Sequence, residues 1–171
     1  IYYWDTSAGV ATRAVLVSSI ANAASVPEVA GISTVSFPDR HFIVAGASKY
    51  ETDGSSGPFD PMLVRWSSQE EFAKFAPTTL NTAGDQRLEV GTKIVAMINS
   101  REETIISTDE AVYGMTFVGD PFIFSFRLLA TNSGAAGLNT MISVDGNVFW
   151  MGKRNFFTYD GIVKEIPCPV Q

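Results

Sequence analysis

The sequence predicts an all-β protein: about three and a half antiparallel, blade-like sheets that form part of a larger β-propeller. Three observations predict this. Segments beginning at Gly31, Gly91 and Gly137 share one plan: glycine, apolar strand, polar turn, apolar strand, polar break, third strand. Their first turns are "PDR" (38–40), "NSREE" (99–103) and "DGN" (145–147), and Asp-Gly between alternating apolar runs is a strong hairpin signal. Units of three to four antiparallel strands, about 45 residues each, are the sequence mark of propeller blades.

The chain opens on "IYYWDTSAG", which matches "FFTYDG" near its end, and "VATRAVLV" matches "IVKEI". Residues 1–18 therefore read as strands three and four of a unit whose first half lies elsewhere. An opening at Ile1, without Met or a basic leader, reads as part of a longer polypeptide. Residues 17–31 are rich in small side chains and read as a linker with one helical turn. The first full unit, 31–80, carries an exposed Gly/Ser/Asp loop at 51–60 and a third strand from Met62. Its tail, "SSQEEFAKFAPTTL" (67–80), predicts a short helix. Ser67 or Ser68 would cap it, Glu70 and Glu71 would suit its dipole, and Pro77 would follow its end. The second unit, 91–130, has its third strand at "AVYGMTFVG" from Ala111. Residues 120–137 read as a further insertion, with Phe122, Phe124 and Phe126 on one face of a strand between units. The third unit, 137–170, adds "NFFTYDG" and "IVKEIP". The blade parts are thus 1–18, 31–80, 91–130 and 137–170, within one domain spanning 1–171.

The chain has 171 residues, 46% hydrophobic and 18% charged, enough to bury a core. Its net charge of -6 argues against a broad nucleic-acid surface, which needs clustered Lys and Arg. The single cysteine, Cys168, allows no internal disulfide and reads as an incidental thiol. No run of eighteen apolar residues predicts a membrane-spanning helix.

Few residues carry chemistry. His41, the only histidine, lies beside Asp39 and reads as a turn-edge residue; no G-x-S-x-G presents a serine to it. Zinc would have one His and one Cys to draw on. Glu51, Asp53 and Asp60 lack EF-hand spacing and read as an acidic loop. Glu70/Glu71 and Glu102/Glu103 fit a helix start and a hairpin turn. Gly134 and Gly137 form no phosphate loop, because no Lys-Ser/Thr follows. Tyr2, Tyr3, Trp4, Phe149, Trp150, Phe156, Phe157 and Tyr159 either stack sugars or bases or wedge between sheets, and wedging is the expectation. Lys153 and Arg154 share a turn that an acidic partner or a phosphate would meet. The reading is non-enzymatic, with no catalytic, cofactor or metal residue assigned.

Residues 85–170 resemble virion structural proteins of tailed bacteriophages, in which a "VYxMxF"-like segment precedes "GxxGxNxxxxVDGxVxWMGxxNFxxYDG". The match falls on Gly134, Gly137, Asn139, Val144 to Val148, Trp150 to Gly152, Asn155, Phe156 and Tyr159 to Gly161. More distantly, the chain is similar to the β-propeller hub proteins that plug the portal of short-tailed phages. The resemblance implies a head–tail connector or tail hub located in the virion. Its implied partners are portal, adaptor and tail subunits, further copies of itself in a symmetric ring, and passively the packaged DNA. A propeller glycoside hydrolase and a cellular propeller scaffold are the alternatives. The first needs two facing carboxylates. The second is expected to repeat Trp-Asp, which occurs once, at Trp4-Asp5.

Overall fold

Alternating apolar residues on short strands build this molecule. The computed structural model describes residues 1–37 and 39–167. β1 (Tyr2–Tyr3) and β2 (Val15–Leu16) pair as a ribbon, with Tyr2 opposite Leu16. β3 (Ala30–Val35), β4 (Phe42–Tyr50), β5 (Ser56–Trp66) and β6 (Gly84–Arg87) form the first four-stranded sheet. β7 (Ile94–Asn99), β8 (Thr104–Thr108), β9 (Ala111–Gly119) and β10 (Ile123–Thr131) form the second. β11 (Met141–Val144), β12 (Asn147–Met151), β13 (Phe156–Tyr159) and β14 (Val163–Ile166) form the third. Neighbouring strands are sequential and antiparallel, so each sheet is an up-and-down meander, and none closes on itself. The protein is all-β. Among the described residues, regular helix is limited to 3-10 turns at Thr6–Ala8 and Val17–Ser19, and no helix is long and apolar enough to cross a membrane.

Local chemistry sets the turns. Asp145 and Gly146 both have positive φ, 51° and 85°. That is the two-residue type I′ geometry whose twist matches the flanking strands, and it fixes Val144 opposite Asn147. At the ends of other hairpins, side chains take over the backbone partners. Asp109 accepts from the Thr92 hydroxyl and from the backbone N–H groups of Thr92 and Lys93. Burial pushes the Asp109 carboxyl up, but these donors outweigh it and hold it down at about 2.

The sheets stack face to face, and the second is covered on both sides. Successive residues show it: Ile105 and Val112 enter the core shared with the third sheet, whereas Ile106 and Tyr113 enter the core shared with the first. A period of two delivers neighbours to opposite faces. The first core joins Ile43, Met62, Val64 and Trp66 to Ile106, Tyr113, Met115 and Phe124. The second joins Ala96, Ile105 and Val112 to Val148, Trp150, Phe157 and Tyr159. A third, smaller cluster covers the far side of the first sheet, where Val44, Ala47 and Phe75 meet Ile1 and Val26. Between sheets the first strands approach one another, β7 lying beside both β3 and β11. Side chains lock that arrangement: Asn99 donates to the Val35 carbonyl at 2.7 Å, and Ser100 to the Gly146 carbonyl at 2.6 Å.

Several expectations are corrected. Residues 67–76 form two tight turns instead of a helix. Glu70 has φ 58°, Ser68 bridges Glu71, and Lys74 pairs in parallel with Ala24. An isolated helix this short is marginal. Extended pairing instead carries Phe75 beneath the first sheet. The loop expected at 51–60 ends at Ser55, because β5 begins at Ser56 and buries Asp60. The first unit continues past residue 80 to a fourth strand, β6. The strand around Phe124 is the fourth strand of the second sheet and does not stand between units. Phe124 is buried and Phe126 half-buried there, but Phe122 precedes the strand and is 77% exposed. Residues 1–18 do supply two paired strands. Pro38, in the first predicted turn, and Cys168 lie outside the described residues.

Candidate functional site

The candidate site is the outward face of the third sheet. β12 reads "NVFWM", apolar on both alternations from Val148 onward. Such a strand is built to be covered on both sides. Val148 and Trp150 point into the second core, whereas Phe149 and Met151 point away from it. On β13, Phe157 and Tyr159 turn inward and Phe156 outward. Ile142 and Val144 on β11 and Ile166 on β14 are exposed as well. Register makes these one surface. Ile142 pairs with Phe149, and the row continues through Thr158 to Lys164. A second row runs Met151, Phe156, Ile166. Monomeric proteins rarely expose contiguous apolar surface of this kind without using it.

The inward side holds this face rigid. Trp150 stacks on Phe157 with ring centroids 5.5 Å apart, and its indole N–H donates to the Ser133 carbonyl at 2.6 Å. Tyr159 donates its hydroxyl to Glu103 and accepts from Arg127 at 3.1 Å. Burial pushes the Tyr159 pKa up, and the neighbouring Glu103 carboxylate adds to the rise. Gly134 lets its segment press against the turn before β9. A Cβ there would lie 2.5 Å from the Asp109 carbonyl carbon and 2.6 Å from the Glu110 nitrogen.

The sequence-nominated residues distribute unevenly around this face. Of the aromatic set, Trp150, Phe157 and Tyr159 wedge between sheets, and Tyr3 stacks on Phe72 at 4.9 Å. Tyr2, Trp4, Phe149 and Phe156 face outward, against the expectation of wedging. Lys153 and Arg154 lie on the β12–β13 turn and line a recess of about 520 Å³ with Asp109, Glu110, Asn132 and Asn155.

His41 is corrected from a turn-edge residue to a fully buried one. Its Nε2 lies 3.0 Å from the Thr82 hydroxyl and its Nδ1 3.6 Å from Asp39. The order Asp–His–Thr mimics a relay. However, the imidazole is enclosed by Phe117 and Phe124, and Thr82 already accepts the Gln69 N–H.

Most of the acidic candidates have a local partner. Glu70 pairs with Arg40, Glu71 with Lys74, and Asp60 with Arg87 and Lys49. Asp53 accepts from Ser55 in its own turn. Glu102 and Glu103 line a recess with Asp145 and Asp160, but Glu103 is engaged by Tyr159 and Asp160 by Lys164. Among the described residues no three metal-binding side chains converge.

Sequence reasoning missed Ile142, Val144, Met151 and Ile166. For Met151 the signal was present in β12, where the apolar run "VFWM" has no polar face to offer solvent. Arg65 was also missed. It is fully buried and donates to the carbonyls of Ser25, Ser48 and Phe75. No protein-family model matches the chain, and no curated protein matches it.

Proposed function

We propose that the chain is a structural subunit of a tailed-phage particle, a head–tail connector or tail hub that helps seal the portal. The observation that carries this reading is the stacking. Four-stranded meanders lie face to face with their first strands adjacent, and the series ends on an apolar sheet face that no described residue covers. Sheets arranged this way suit a radial array of propeller blades, in which further sheets continue the stack. The resemblance of residues 85–170 to phage virion proteins supplies the setting. Its motif residues fall on the hairpin at Asp145–Gly146, the wedge at Trp150 and the close approach at Gly134. The mechanism is rigid display: the sheets fix the backbone, and exposed surfaces engage portal, adaptor and tail subunits and further copies of the chain in a symmetric ring.

A reconstruction of particles that contain this chain tests the reading. Density for three stacked four-stranded sheets is expected at the portal–tail junction. Absence from the particle, or placement away from that junction, overturns it. The exposed tip at 52–55 gives a second measurement. Shortening it leaves β4 and β5 intact and is expected to lower incorporation into particles if the tip is an interface; normal assembly removes the tip from the contact surface.

A further inference from the structure

We propose that Asp39 and His41 hold one ordered water in a cavity at the seam between the first and second sheets. Both side chains are enclosed: Asp39 is 6% exposed and His41 not at all. Asp39 Oδ2 and His41 Nδ1 lie 3.6 Å apart, and among the described residues neither atom has a hydrogen-bond partner. That separation is too long for a direct hydrogen bond. It is short enough for both atoms to bond one water placed between them. The imidazole is not free to close the gap. Its Nε2 is held 3.0 Å from the Thr82 hydroxyl, and its ring packs against Phe117 and Phe124. Buried polar atoms in native proteins are rarely left unpaired, and two neighbours left unpaired point to a shared ligand.

The space matches the ligand. Asp39 lines a cavity of about 10 Å³. One water needs roughly that much room, together with two to four polar partners. The walls come from both sheets: Ser36 and Asp39 from the β3–β4 turn, Asn99, Glu103 and Thr104 from the β7–β8 hairpin, and Phe124 from β10. Thr104 is suited to be a third partner. Its buried hydroxyl donates to Asn99 Oδ1 at 2.9 Å and keeps a lone pair for an incoming O–H. Other occupants of this size fit less well. A divalent cation needs several oxygen ligands, and among the described residues no three metal-binding side chains converge. An anion would meet the carboxylates of Asp39 and Glu103. The water extends a polar seam that Asn99 begins by donating to the Val35 carbonyl. It thereby ties the β3–β4 turn to the second sheet. The inference is independent of the virion assignment, because every group it uses lies inside this chain.

A high-resolution crystal structure of the 171-residue chain reads the site directly. The expected result is one water peak within about 3 Å of both Asp39 Oδ2 and His41 Nδ1. No peak at that position overturns the inference. So does a direct Oδ2–Nδ1 hydrogen bond, or a metal ion in the cavity. In solution, magnetic relaxation dispersion of water oxygen-17 counts long-lived internal waters. Asp39→Leu removes the anchoring carboxylate and should lower that count by one. Asp39→Asn keeps a polar atom at the site and should leave the count unchanged. A count that stays the same in Asp39→Leu overturns the inference. If Asp39→Leu fails to fold, His41→Leu removes the other anchor and should show the same loss of one water.

Discussion

His41 shows how far a residue's surroundings can reverse its apparent role. Beside Asp39 in the sequence it looks like a polar turn residue, yet it is enclosed by Phe117 and Phe124. Burial lowers its pKa below the ordinary 6.5, and the Asp39 carboxylate pulls the other way without prevailing. The folded chain therefore refuses a proton that the unfolded chain accepts near 6.5. This contribution to stability is fully present above that pH and is lost as pH falls below it toward the folded-state pKa. Unfolding free energy measured by denaturant should decline as pH falls below about 6.5, and His41→Gln should flatten that part of the decline. Equal slopes in the two proteins would show that His41 is not the group responsible. Arg65 is the second buried residue with a large expected effect. It donates to three carbonyls, those of Ser25, Ser48 and Phe75, and so ties the segments around Ser25 and Phe75 to the first sheet. Arg65→Met keeps the volume but strands those acceptors. The expected cost is about 3 kcal/mol, read as a lower denaturant midpoint.

At the scale of elements, most of the strand plan was legible because period-two alternation and turn chemistry are local. The Asp145–Gly146 hairpin needed nothing beyond its own residues and their positive φ. What failed was decided by distant partners. The turn segment 67–76 has a plausible helix start in Ser67, Glu70 and Glu71. Its course is set instead by pairing with Ala24 and by burial of Phe75. β6 carries "GDQR", too polar to announce a strand, and it exists because β5 offers it an edge. The candidate face was half legible: the aromatics of β12 and β13 were singled out, but their division into inward and outward sets depends on which side the second sheet occupies. Gly134 gives a direct test of that packing. Its segment crosses so close to Asp109 and Glu110 that a methyl group meets backbone, which has no rotamer to yield. Gly134→Ala should cost about 1–3 kcal/mol, seen as a lower melting temperature with unchanged strand content. A neutral substitution would mean that the 132–135 segment can lift away from the second sheet.

For the whole molecule, stability should be graded by how many faces of a sheet are covered. The second sheet has a core on each side. Among the described residues, the third has one on its inward side alone. Beside the β1–β2 ribbon, Ile1 alone joins a cluster, the smallest of the three. Local opening costs least where few apolar contacts are lost, so exchange of backbone amides reports this order. Paired amides of β8 and β9 should exchange slowest, close to the global unfolding rate. Those of β12 and β13 should come next, and those of β1, β2 and β14 should exchange fastest. Uniform protection across all three sheets in the isolated chain would contradict the graded stack.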